Sequence, residues 1–400
     1  MGRRRRSKSN RKKARVTDAG GDHLTALPLE LRARIASLLH FRQIVQLSVL
    51  SRPWRHIHHH APIVKLYLYD FPDEEDSILA ARVTLARRAQ DAAESSVDTL
   101  RLAFAADDPR MRRHAGRIVA LADAREIRIY APYHHRDGAT REAWALDLPP
   151  AARELEIVAR AHLAPAITGG GTAGLSKLTL GGVVIREWPP LLPSLRTLDL
   201  DDVTAEAAFA PGSWCPRLEE LDIFSSKIEH ARVDIQNMPL LRFIGLDEVD
   251  VSPRGKHGSG GAPPFGELAV DAPALEELEV TCGSGSSHAG YRSFTLRAPR
   301  LRLLVWANQF AERVAIDVGR PGSVKFGTIQ LSSIFWRGIE RYREQMMRML
   351  EGLLPDLLPE SVADVARPYM TLEECDDSDD DEDETEEKLT CDIDALMRGI

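Results

Sequence analysis

Apolar residues along the chain follow two different periods. Over 27–39 they keep helical spacing, so that Leu27, Leu31, Ile35, Leu38 and Leu39 share one helix face. Pro28 falls near the first turn, where a missing N–H costs little. Ile44, Val45, Leu47, Val49 and Leu50 predict a second short helix. Pro53 opens a third stretch that carries Trp54 and Ile57 and closes at Pro62. These segments make a small helical module at 22–62. The plainer alternative is a helical cap on the next domain.

Between about residue 95 and residue 310 the pattern changes to alternation inside short segments, and the segments repeat. LPSLRTLDL (192–200), CPRLEELDI (215–223), MPLLRFIGL (238–246), APALEELEV (272–280) and APRLRLLVW (298–306) share Pro-x-Leu-x-x-Leu/Ile-x-apolar. Their prolines, at 193, 216, 239, 273 and 299, are spaced by 23, 23, 34 and 26 residues. The long step holds a Gly/Pro/Ser-rich insertion, SPRGKHGSGGAPP (252–264). Leu155/Ile157 and Leu178/Leu180 continue the template backwards, and Leu100/Leu102 and Ile127/Ile129 fit it less closely. The total is about nine units, each a short strand with a return segment, which cannot bury its face alone and so must stack into a solenoid. Asp108-Pro109 followed by Met111, Ile118, Val119 and Leu121 predicts one helical return, and SFTL (293–296) a strand. Ile339, Tyr342, Met346, Met349, Leu350 and Leu353 then predict an amphipathic helix that caps the stack.

Alternation also assigns sides. With Leu198 and Leu200 in the core, Thr197, Asp199 and Asp201 face outward onto the concave sheet. The same rule exposes Glu154, Glu156, Lys177, Thr179, Glu220, Asp222, Phe224, Phe243, Asp247, Glu277, Glu279 and Thr281. Nine acids stand there against one base, so the face should attract a protein with a basic segment, with Phe224 and Phe243 as apolar anchors. Charge that merely discourages aggregation is the competing reading, and the chain's own basic arm is another possible occupant.

Charge along the chain is unevenly spread. Residues 1–15 carry nine Lys/Arg and no acid, and 373–387 carry twelve Asp/Glu and no base. The net charge of −8 therefore leaves −5 for the remainder. Both runs are expected to be disordered. The basic arm reads as a nuclear-import signal, a nucleic-acid-contacting arm or a solvated arm. The first of these places the protein in the nucleus or in both nucleus and cytoplasm. The acidic tail reads as solubilising, and Leu389, Ile393, Leu396, Met397 and Ile400 within it have helical spacing that would suit a short docking helix.

Other chemistry is sparse. The chain has no membrane-length apolar run and no apolar segment behind the basic start. Cys215, Cys282, Cys375 and Cys391 lie far apart, as in a reducing compartment, and cannot build a zinc site alone. Cys215 takes the place of Leu, Met or Ala in other repeats, which marks it as packing. His56, His58, His59 and His60 cluster without an acid or thiol to complete a metal site. The Gly-rich stretches at 169–174, 258–261 and 283–290 lack the Lys-Ser/Thr of a phosphate loop. A non-catalytic protein without a cofactor is expected.

The helical module carries a resemblance. Asp22-His-Leu-x-x-Leu-Pro-x-Glu-Leu, Ile35-x-x-Leu-Leu and Ser48-Val-Leu-Ser-Arg-Pro-Trp-Arg55 look like an F-box of the plant F-box/leucine-rich-repeat type. That resemblance implies docking onto the Skp adaptor of a Skp–cullin–F-box ubiquitin ligase, and through it onto cullin and RING subunits. It implies that Leu27, Pro28, Leu31, Ile35, Leu38, Val49, Leu50 and Trp54 are the contacts or their support. Pro53 stands where a basic residue is usual before the Trp, and Leu29 where an acid is usual. The repeats resemble the degenerate leucine-rich repeats behind plant F-boxes, with Val203, Ser226, Val249 and Gly283 where the repeat's Asn would stand.

The expected architecture is an α/β solenoid: basic arm (1–21), F-box (22–62), repeat stack (63–330), C-terminal helical cap (331–370) and acidic disordered tail (371–400). The expected function is substrate recognition for ubiquitin ligation. Its rivals are a binding scaffold outside any ligase and a nucleic-acid-binding protein, the latter opposed by the acidic face.

Overall fold

The computed structural model describes residues 24, 26–50, 52–68, 74–90, 97–132, 143–253, 266–282, 290–320, 322–332, 339–375 and 386–399. The run at 1–15 and the acids of 376–385 lie outside them.

Among the described residues the first elements are two helices, α1 (Leu29–Leu38) and α2 (Phe41–Leu50). The backbone of Arg32 donates to the Pro28 carbonyl and closes the first turn of α1, so Leu27 stands just before the helix. The expected third helix is two short 3₁₀ segments, Arg52–Trp54 and Ile57–His59. Arg32 donates to the carbonyl of Pro53 and ties the first segment to α1. Ala33, Ala36, Ile44, Trp54, Ile57 and Ala61 form a core separate from the rest of the protein.

Then follow β1 (Ile63–Tyr67), α3 (Glu74–Gln90), β2 (Thr99–Ala103), α4 (Pro109–Ala122), β3 (Glu126–Ala131) and β4 (Ala143–Asp147). The middle of the chain holds β5 (Glu154–Thr168), β6 (Lys177–Ile185), β7 (Thr197–Asp201), β8 (Thr204–Ala205), β9 (Glu220–Phe224) and β10 (Lys227–Ile228). After these come β11 (Arg232–Ile235), β12 (Phe243–Asp247), β13 (Asp250–Val251), β14 (Glu267–Asp271) and β15 (Glu277–Thr281). The stack finishes with β16 (Gly290–Arg297), β17 (Leu303–Ala307), β18 (Phe310–Asp317) and β19 (Phe326–Ser332). Last are α5 (Ile339–Leu353), α6 (Pro359–Ala366), β20 (Met370–Cys375), β21 (Glu386–Asp392) and α7 (Ile393–Gly399).

The main sheet is a run of parallel strands in the order β1, β2, β3, β5, β6, β7, β9, β12, β15, β17, β19. Two of these, β1 and β19, lie beyond the units that the sequence pattern marks. The repeat motif has a direct structural meaning. Its proline occupies the second position of a turn closed by Leu195→Leu192, Leu218→Cys215, Leu241→Met238, Leu275→Ala272 and Leu301→Ala298 backbone hydrogen bonds. The leucine after that turn and the two apolar strand residues then enter the core. Leu218, Leu221 and Ile223 are fully buried, as are Leu275, Leu278 and Val280.

The repeat's Asn ladder is replaced by another device. Asp202, Ser225, Glu248 and Asn308, each just past a strand end, adopt φ of 50°, 44°, 53° and 55°. This left-handed corner costs an ordinary residue roughly 1–2 kcal/mol. It aims each backbone N–H at the next unit: Asp202 donates to Phe224 O, Ser225 to Asp247 O, Glu248 to Thr281 O and Asn308 to Gln330 O. Val203 and Val249 are buried where the Asn would stand, and Ser226 Oγ accepts from Val203 N at 3.0 Å.

Return segments change along the stack. The early ones are helices, and Asp108 caps α4 by accepting from Arg110 N at 2.7 Å, with Pro109 in the first turn. The later ones are strands: β11, β14, β16 and β18 form a second parallel sheet. The expected strand at 293–296 is part of β16. At the far end α5 packs on β18, and Gln345 on α5 is buried, accepting from Ala311 N and donating to Gln309 O.

The C-terminal boundary differs from expectation. Of the stretch 371–400 read as a disordered tail, 371–375 and 386–399 are ordered. β21 pairs antiparallel with both β19 and β20, and Leu389, Cys391, Ile393 and Leu396 are buried. The acids dominate the composition there, but the apolar residues behind them carry the sheet past β19 through β21 to β20. The helical spacing expected through Leu389 holds only from Ile393. The short helix packs inward on β19.

Candidate protein-binding surfaces

Strand register sets the outward face of the main sheet, the expected concave surface, into rows. The middle row runs Lys65, Arg101, Arg128, Glu156, Thr179, Asp199, Asp222, Gly245, Glu279, Val305, Thr328. That row is therefore basic on its first three strands and acidic between β5 and β15, with Glu126 beside Arg128 on β3 and no acid on the outward side of β17 or β19. The sequence reading caught only the acidic part, because the strands carrying Arg101 and Arg128 match the repeat weakly and β1 lies outside it.

All the acidic positions assigned to this face are there and accessible. Glu154, Asp201, Glu220, Asp222 and Glu277 are exposed, while Glu156, Asp199, Asp247 and Glu279 are half-buried. Phe224 is 46% exposed and Phe243 is half-buried. Arg128 bonds Glu126 on its own strand and approaches Glu156 at 3.5 Å. Lys177 pairs with Asp199 at 3.0 Å, and Thr179 donates to the same carboxylate at 3.0 Å. Thr281 donates to Asp247. Glu126 is held below the usual carboxylate range by its Thr99 and Arg128 hydrogen bonds, which outweigh the opposing effect of burial.

Two hollows lie over this surface. One, of about 350 Å³, is lined by Glu126, Arg128, Glu156, Lys177 and Asp199 among others. The second, of about 460 Å³, is lined by Glu219, Glu220, Arg242, Phe243, Glu276 and Glu277. In it the Phe243 ring lies between two carboxylates, because Phe243 is the register partner of both Glu220 and Glu277. A ring bracketed by acids offers a partner's Lys or Arg both charge and a π face. Gly245 matters here: a Cβ on it would come within 2.6 Å of Asp222 Oδ1 and 3.2 Å of the Phe243 ring.

The helical module presents a different surface. Among the described residues fifteen large hydrophobic side chains are exposed, and six of them fall within 24–49: Leu24, Leu29, Leu31, Leu38, Val45 and Val49. Leu38 is 74% and Val49 79% exposed. Helical spacing relates Leu31 to Leu38 and Val45 to Val49. Concentration of apolar surface on so short a segment marks an interaction site.

Comparison with known sequences bears on both surfaces. A stretch of 55 residues, 14% of this chain and 14% of the relative, is 46% identical to an F-box protein of Arabidopsis thaliana. A stretch of 273 residues is 25% identical to an F-box/LRR-repeat protein of Arabidopsis thaliana, covering 65% of this chain and 74% of that one. The chain resembles the plant F-box/leucine-rich-repeat proteins. No family model matches it, and no solved structure does.

Against that background the candidate F-box residues divide into two groups. Leu31, Leu38 and Val49 are exposed, as is Pro28, and Leu27 is half-buried. Ile35 packs on the module core and Trp54 lies inside it at 6% exposure. The side chain of Leu50 lies outside the described residues. F-box-like helices and repeats meet at β1, which contacts both α1 and α2. Lys65 Nζ donates to Leu38 O at 3.2 Å, Arg88 donates to the carbonyls of His58 and Ala61, and Phe41 enters the main core.

The remaining motifs are placed as follows. The His58 and His59 rings lie 4.1 Å apart, and burial, followed by the neighbouring histidines, lowers His58 to about 4. Cys215 is buried and bonds the Pro211 carbonyl, and burial pushes its thiol up to about 12. Among the described residues no group of three His, Cys, Asp or Glu is placed to hold a metal, and no helix is long and apolar enough to cross a membrane.

Proposed function

We propose that this chain is the substrate-recognition subunit of a Skp–cullin–F-box ubiquitin ligase. Its F-box-like helices dock the adaptor, and the outward face of the main sheet holds a target protein with a basic segment. Ubiquitin transfer belongs to partner subunits, and this chain supplies proximity and orientation. The observation that carries the reading is the set of solvent-facing apolar side chains on α1 and α2, which the module's own core leaves unused. Relatives named F-box and F-box/LRR-repeat protein support it. The run of basic residues at 1–15 would serve nuclear import.

The entry of Phe41 of α2 into the main core and the packing of β1 on both helices favour a second reading, a scaffold outside any ligase in which they cap the stack. Co-purification with a Skp adaptor separates the two. Wild type carries adaptor and cullin with it under the ligase reading, and a Leu38→Ala/Val49→Ala variant does not. A wild-type chain that elutes free of adaptor supports the scaffold.

A further inference from the structure

The charges of the N-terminal arm are ordered as the counter-image of those on the sheet face. Reading away from the first helix, residues 23 to 16 (HDGGADTV) contain two acids, Asp22 and Asp18, and no Lys or Arg. Residues 15 to 1 then hold nine Lys/Arg and no acid. The face, read away from the F-box end, presents three bases first, Lys65, Arg101 and Arg128, against one acid, Glu126, which bonds Arg128, while Lys65 also donates to the Leu38 carbonyl. Glu154, Glu156, Asp199, Asp222 and Glu279 come after them.

We infer that the arm lies in cis along this face and occupies the site that a basic target would use. The inference rests on the reading of the face as a basic-segment binder. Reach permits it. The steps from β1 to β5 span roughly 14 Å, and the eight residues 16–23 extend to about 27 Å. The steps from β5 to β15 span roughly 24 Å, well within the about 50 Å available to residues 1–15. Tethering gives the arm an effective concentration of order millimolar, so that only a target of higher affinity or charge displaces it. The arm thus acts as a filter against weakly basic proteins.

The test uses a labelled peptide with the sequence of residues 1–15. Its affinity is measured for the full chain, for a chain beginning at residue 22, and for a full-length Arg3→Gln/Arg4→Gln/Arg5→Gln/Arg6→Gln variant. The inference expects binding to the truncated and the neutralised chains to be tighter than to wild type by about tenfold or more. It also expects that gain to vanish in a truncated Glu156→Gln/Asp199→Asn/Glu279→Gln chain. Equal binding to wild type and truncated chain overturns the arm's role and leaves the basic-segment reading standing. No binding to either chain overturns both.

Discussion

Asp199 on β7 and Asp222 on β9 stand directly opposite each other as register partners. Like charges so placed destabilise a sheet. Asp199 is paired with Lys177 and accepts from Thr179, whereas the pKa of Asp222, whose carboxyl is partly sheltered by its neighbours, is raised above its ordinary value by that partial desolvation, then by Asp199 and Asp247. A pair that costs stability and is relieved by an incoming cation fits a binding surface better than a passive one.

Because the fold raises the Asp222 pKa, the fold favours its neutral form. The stability tied to it is complete below the ordinary carboxylate pKa and is lost as pH rises through the raised one. Asp222→Asn should therefore raise the melting temperature slightly at pH 7 and weaken binding of a basic peptide. Binding by wild type just above the ordinary carboxylate pKa should release protons, seen in titration calorimetry as a heat that changes with the buffer. An unchanged heat would contradict this.

His58 and His59 shift the opposite way. Their folded pKa values lie below the ordinary value, through burial first and neighbouring positive charge second. The unfolded chain thus takes up protons before the folded one, and stability falls as pH drops from about 6.5 towards 4. The urea midpoint should decline over that window, and His58→Gln should flatten the decline.

Leu221 lies in the core between Leu198 and Ile244, its register partners on either side, with no exposure. Leu221→Ala should cost about 2–5 kcal/mol in chemical denaturation. A loss below about 1 kcal/mol would mean that this part of the stack is loosely packed.

Ending the chain at residue 385 removes β21 and α7 and leaves β19 as an open edge. Gly327 N, which donates to the Asp394 carboxylate at 2.6 Å, loses that acceptor. The shortened chain should melt earlier and aggregate, whereas a dispensable tail would leave both unchanged.

The repeat was legible because the turn proline, the leucine after it and two alternating apolar residues are all needed by one corner and one strand. Strands lacking the proline turn were harder to see. β1 shows only Val64 and Leu66 after Pro62. The second residue of β19 is Gly327, whose φ of 133° lets its backbone pass so close to Leu304 that any Cβ would collide with that carbonyl. The basic end of the sheet face was hidden with these strands. β21 was missed because composition outweighed pattern: its apolar positions, Leu389 and Cys391, sit behind twelve acids. Trp54 reads by motif as a contact or its support, and its burial in the module core follows from the way the two 3₁₀ segments pack against α2 and α1.

The central claim is that α1 and α2 hold an adaptor while the fold stands without it. Titration calorimetry of purified chain with a Skp adaptor, for wild type and Leu38→Ala/Val49→Ala, tests it most directly, with circular dichroism melts as the control. Wild type should bind, and the variant should lose binding while its stability stays within about 0.5 kcal/mol of wild type, since both side chains face solvent. Trp54→Ala should instead cost about 3–5 kcal/mol and lose binding by unfolding the module. A folded wild-type chain that binds no adaptor, or a double variant that binds as well as wild type, would contradict the account.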